Sequence, residues 1–164
     1  MGTAMGEQNA AGPVLGFLQN AWVRDVARCE AILAQHDSAG KRYIQTAWLF
    51  MGCLTGRRLI AAFGDDLAHD IVWDNASPRL ADASSGAFPP DPAHIRAVLA
   101  EVRPRVVLAF GRIAEQGVRP LWSGPLIVGP HPTARGADTV SRLRAMAAEL
   151  DAFLKAPATE VQHG

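Results

Sequence analysis

Four short apolar runs punctuate the chain, and between them apolar residues return at helical rather than alternating spacing. Pro13 to Leu18 (PVLGFL), His69 to Trp73 (HDIVW), Arg105 to Phe110 (RVVLAF) and Pro125 to Val128 (PLIV) predict strands. RVVLAF is continuously apolar and β-branched, as a parallel strand covered on both faces should be. Helices are predicted over Arg24 to His36, where Asp37, Ser38 and Gly40 supply turn chemistry, and over Thr55 to Phe63, which Gly64 stops. Two more run from Asp91 and Pro92 to about Val102 and from Asp138 to Leu154, with a short one after Gly111 through about Gly117. Tyr43 to Cys53 is aromatic-rich and fits either element. Arg79 to Pro90 (RLADASSGAFPP) predicts a long loop.

Strands alternating with helices at these distances predict a three-layer α/β/α sandwich around a central, mostly parallel four-stranded sheet. Its 164 residues suit one domain, expected over 13–155, with tails at 1–12 and 156–164. Ligands of open α/β sheets bind beyond the carboxyl ends of the strands. That rule selects the loops Gln19 to Trp22, Asp74 to Arg79 and Gly129 to Gly136.

Composition narrows the class. No apolar run approaches the roughly 18 residues of a membrane span. Cys29 and Cys53 have neither CxxC spacing nor a secretory signal before them, which points to a reducing, cytoplasmic setting with no disulfide framework and no zinc site. Formal charge is zero, although all basic residues except Lys41 and Lys155 are arginine, the side chain suited to phosphate and carboxylate forks. Neither GxGxxG after the first strand nor GxxxxGK[ST] occurs.

The three loops carry the candidate chemistry. Gln19 and Asn20 offer side-chain amides beside the ring of Trp22, residues that would equally turn the chain and fill a gap. Asn75 could read a ligand edge as donor and acceptor, or simply make a turn. His131 stands between Pro130 and Pro132, which fix the backbone that carries its imidazole.

In order and spacing these segments resemble the uracil-DNA glycosylase superfamily from about Pro13 to Leu154. LQNAW (Leu18 to Trp22) is similar to the family's first motif. FMGCLTGRRL (Phe50 to Leu59) resembles the PFxGxSGRLL segment of the bacterial and archaeal iron-sulfur branches, and IVWDNASPR their strand ending in Thr-Asn before a basic, proline-rich stretch. RPRVVLAFGRIA (Arg103 to Ala114) and HPTARG resemble two further family segments. The chain departs from the iron-sulfur branches in lacking four cysteines, so no cluster and no other cofactor is expected. Asn20 stands where the most active branch has aspartate, as in the mismatch-specific branch, and Leu18 and Ala21 replace the motif's glycine and proline.

The resemblance implies a DNA glycosylase that takes a flipped or single-stranded uracil or related deaminated base and hydrolyses its N-glycosidic bond in base-excision repair. It implies catalytic roles for Asn20, which would position water, and His131, which would stabilise the departing base anion. Gln19, Trp22, Phe50 and Asn75 would bind the base, with Asn75 reading its edge, Phe50 stacking and Trp22 crowding the pyrimidine 5-position. Arg57, Arg58, Ser77, Arg79, Thr133 and Arg135 would face DNA, the expected partner, in a protein expected to be monomeric. Two alternatives stay open: a member of the same fold that binds DNA or a nucleobase without cutting, and an unrelated small α/β nucleotide-binding enzyme.

Overall fold

In the computed structural model, which describes residues 9–156, the chain forms a three-layer α/β sandwich around a four-stranded, all-parallel sheet. The strands are β1 (Val14–Leu18), β2 (Val72–Asn75), β3 (Val106–Phe110) and β4 (Leu126–Gly129), in spatial order β2-β1-β3-β4. Seven helices accompany them among the described residues: α1 (Val26–Leu33), α2 (Ser38–Leu49), α3 (Leu54–Phe63), α4 (Asp65–Asp70), α5 (Pro92–Val102), α6 (Arg112–Val118) and α7 (Thr139–Lys155). The chain reverses direction across the sheet between β1 and β3, and a crevice opens at such a switch point beyond the strand ends.

Alternation along the central strands divides the core in two. Val14, Leu18, Val106, Leu108 and Phe110 join Leu59, Phe63, Leu143 and Leu150 on one side, while Leu15, Phe17, Val107 and Ala109 join Ile95, Leu99, Ala114 and Val118 on the other. Both faces of β1 and β3 are therefore dry, which is why these segments read as unbroken apolar runs. Gly16 is required by contact: a Cβ there would stand 2.6 Å from the Trp73 ring on the neighbouring strand, where Gly16 pairs with Trp73 in register.

Helix starts follow local chemistry. The carboxylates of Asp25, Asp37 and Asp91 accept from the backbone N–H groups of Arg28, Gly40 and His94 at 3.0, 2.8 and 3.1 Å, capping α1, α2 and α5. Asp37 thus opens α2 instead of merely closing α1, and the ambiguous stretch that follows is helical as far as Leu49. The expected strand at His69 to Trp73 is also corrected. Asp65 and Asp66 sit in the first turn of α4, where acids suit the helix dipole, so the helix holds His69 and Asp70 and the strand starts only at Val72.

The expected tails fall mostly at residues 1–8 and 157–164, outside the described residues. Residues 9 to 12 lie against the α5–β3 turn, with Asn9 Nδ2 donating to the carbonyl oxygen of Arg103 at 2.7 Å. No helix among the described residues is long and apolar enough to cross a membrane.

Candidate functional site

The ends of β1 and β2 are tied together past the last strand residues. Backbone N–H groups of Ala76 and Ser77 donate to the carbonyl oxygens of Leu18 and Gln19 at 2.9 and 3.1 Å, and Ala81 and Val23 extend the pairing with bonds to Ala21 and Ala81. The first loop is therefore held rigidly against the second. A cleft of about 690 Å³ opens beside it, lined by Gln19, Asn20, Trp22, Asp74, Asn75, His131 and Thr133, with one wall from α2, the start of α3 and part of the long loop at Ser85 to Ala87. That volume is within the about 300–1,000 Å³ typical of small-molecule sites. All three strand-end loops selected from the sequence contribute to it.

Asn20 is only 7% exposed, and its side-chain oxygen is buried with no hydrogen-bond partner. Its Nδ2 reaches only the carbonyl oxygen of Ala21, at 3.5 Å. A buried acceptor left unmatched is costly, and this one belongs to a residue that lines the cleft.

Asn75, 8% exposed, ends β2. Its Nδ2 donates to Gln45 Oε1 on α2 at 3.2 Å, and its backbone N–H donates to Asp74 Oδ1 at 2.7 Å. Asp74 in turn receives Arg42 Nε on Oδ2 and His94 Nε2 on Oδ1, both at 2.8 Å. Burial opposes charge on Asp74, but His94 and Arg42 outweigh it and hold the carboxyl below the usual carboxylate range. With these donors on its oxygens, Asp74 is a structural anion behind Asn75 rather than a free base. Arg42 also reaches Glu101 at 3.3 Å, and Ser38 donates to the same carboxylate at 2.7 Å, so α2, β2 and α5 meet in one polar network.

His131 follows β4 in a loop pinned from three sides. Arg58 Nη1 on α3 donates to the carbonyl oxygen of Pro132 at 2.7 Å, Thr139 Oγ1 at the start of α7 donates to that of Ala134 at 3.0 Å, and Gly111 after β3 packs directly beneath. Gly111 has φ +98°, and a Cβ there would stand 3.1 Å from His131 Cβ, so backbone conformation and close approach both call for glycine. The Thr133 backbone N–H donates to His131 Nδ1 at 3.1 Å, and the Thr133 hydroxyl lies 2.9 Å from the same nitrogen. An amide can only donate, so Nδ1 is the acceptor and the neutral ring carries its proton on Nε2. Burial pushes the imidazole down to about 4, which keeps it neutral at physiological pH.

The other expected site residues separate into groups. Gln19 and Trp22 line the cleft, Trp22 with 61% of its surface exposed at the rim. Phe50 is not among the lining residues; its ring lies behind Trp73, with centroids 6.3 Å apart, and against His69 at 4.5 Å. Trp48, Leu49 and Trp73 supply the apolar wall instead. Ser77 is 2% exposed and its hydroxyl accepts from the Arg79 backbone N–H at 3.2 Å, so it stabilises the loop from inside. Arg58 is engaged with the His131 loop. Arg57, Arg79 and Arg135 are exposed, Arg79 with its guanidinium 4.0 Å from the Phe88 ring centre.

Gln45, Asp74, Arg42 and His94 did not emerge from the sequence. Three of them lie outside the strand-end loops, and Asp74, though next to Asn75, carries no local sign of its distant partners. The available signal was Asp37 followed by an amphipathic stretch, which places Arg42 and Gln45 one turn apart on α2. The chain matches no protein-family model, and no curated protein shows significant sequence similarity to it.

Proposed function

We propose that the chain is a DNA glycosylase of the uracil-DNA glycosylase type, which takes uracil or a related deaminated base into the strand-end cleft and hydrolyses its N-glycosidic bond. The observation that carries this reading is a neutral imidazole, His131, with its N–H on Nε2, in the same cleft as two buried asparagine amides. Breaking the bond leaves a base anion and a sugar with oxocarbenium character, and a fixed, desolvated N–H donor stabilises such an anion as it forms. Asn75 reads the base edge, Trp48 and Trp73 offer it apolar surface, and Trp22 guards the mouth. Asn20, which lines the cleft, positions the water. Being neutral, it neither removes the water's proton nor opposes the sugar's positive charge, which favours a slow enzyme.

A second reading, binding without hydrolysis, is favoured by that same neutral Asn20. Incubation with single-stranded, U:A and U:G oligonucleotides, followed by detection of alkali-labile abasic sites, separates the two. Product is expected, with His131→Ala lowering its rate by about 100-fold or more and Asn20→Asp raising it by about tenfold or more. Absence of product from every substrate would overturn the hydrolase reading and leave the binding one.

A further inference from the structure

An asparagine that reads a base edge works only if its amide is held one way round, because rotation by half a turn exchanges its donor and its acceptor. Here the partner of that amide is Gln45. Gln45 Oε1 accepts from Asn75 Nδ2 at 3.2 Å, and both side chains line the cleft. One N–H of Asn75 is therefore committed to Gln45, which leaves one N–H and the carbonyl oxygen for a ligand. An oxygen in place of that nitrogen would face Gln45 Oε1 as acceptor against acceptor, and the bond would survive only if the Gln45 amide turned with it.

The backbone of Gln45 is itself placed by the ion pair one turn earlier on α2. Arg42 Nε and Asp74 Oδ2 meet at 2.8 Å, and Asp74 Oδ1 accepts from the backbone of Asn75 at 2.7 Å. The register between α2 and the end of β2 is thus fixed on both sides of the Gln45–Asn75 bond. Among the described residues no other side chain bonds the Asn75 amide.

We infer that Gln45 is the positioning residue that sets base preference, by locking the Asn75 amide in the orientation that accepts a ring N–H and donates to a neighbouring carbonyl. This rests on the base-reading role proposed for Asn75. Uracil offers that edge, a ring N–H beside a carbonyl oxygen. Cytosine offers the reverse, an unprotonated ring nitrogen beside an amino group, and would set donor against donor and acceptor against acceptor. Without Gln45 the amide rotates freely and either base can be met. A glutamate at this position accepts but cannot donate, so it holds the Asn75 amide in this orientation and forbids the arrangement in which both amides turn.

The test titrates free uracil and free cytosine into the ¹⁵N-labelled full chain, following the Asn75 side-chain amide by NMR, alongside excision from uracil oligonucleotides. Gln45→Ala, and Gln45→Met as a variant that preserves bulk, are expected to lower the uracil-over-cytosine preference by about tenfold. Gln45→Glu is expected to retain it to within about threefold, the signature that a purely packing role would not give. An unchanged preference in Gln45→Ala and Gln45→Met, a loss in Gln45→Glu equal to theirs, or no binding of either base to the native chain overturns the inference. Failure of excision with the binding pattern intact would instead overturn the hydrolase reading and leave Gln45 its role.

Discussion

His131 shows how one side chain's surroundings decide its chemistry. Thr133 takes the Nδ1 side and burial removes water, so the ring is a neutral donor held at about 4 rather than near its ordinary 6.5. For a base with a lowered value, the folded protein binds the proton less readily than the unfolded chain between those two values. The neutral ring's contribution to stability is therefore complete above about pH 6.5, erodes as pH falls toward about 4, and changes no further below. Urea denaturation at a series of pH values should show the native chain losing stability over this window relative to His131→Gln, which has no proton to bind there. Parallel stability curves for the two proteins would mean that the imidazole is solvated and its neutral state not enforced. Asn20 makes the complementary point: under the proposed hydrolysis, a carboxylate in its place would be charged beside the sugar and would repel the departing anion less than it would assist the cation.

Among the elements, α2 contributes most that was not foreseen. β1, β3, α5 and α7 were legible because their apolar spacing is set by two dry sheet faces, and β4 because turn residues follow it; β2 was expected too early, because Asp74 and Asn75 read as turn residues yet pair within the strand. The segment 37–53 was not, because Asp, Ser and Gly serve equally to end one helix and to cap the next. What decides between them is the bond from Gly40 N–H to Asp37, a fact of three dimensions. Likewise Asn20, Asn75 and His131 were legible as strand-end residues, whereas Gln45 and the Arg42–Asp74–His94 network depend on a helix crossing that local pattern does not encode.

That network also ties α2 to Asp74 on β2. The Asp74 and Arg42 side chains are 9% and 12% exposed, so removing the carboxylate strands buried donors. Asp74→Ala should cost about 3–5 kcal/mol in chemical denaturation. A loss under about 1 kcal/mol would place the pair with surface ion pairs. Because the carboxyl is held below its ordinary 3.8, its contribution is present above that pH and is lost as pH falls through the lower folded value.

At the scale of the whole molecule, equal numbers of acidic and basic side chains leave no net field to draw in a polyanion, so the DNA binding proposed above would have to be local. Arg57, Arg79 and Arg135 are the expected DNA contacts that remain exposed and that pair with no carboxylate among the described residues, while Arg58 and Ser77 are occupied in holding loops. If the three arginines each neutralise one phosphate, log K for an oligonucleotide should fall with log salt at a slope of about −2 on single strands and about −3 on duplex. Fluorescence anisotropy from low to moderate salt measures this directly. Arg57→Ala and Arg135→Ala should each weaken binding and reduce the slope by about 0.7–0.9, leaving the free-base preference of the cleft untouched. A flat salt response would remove the phosphate backbone from the interface and, with it, DNA as the partner, while a steep slope indifferent to these variants would move the DNA track to another face.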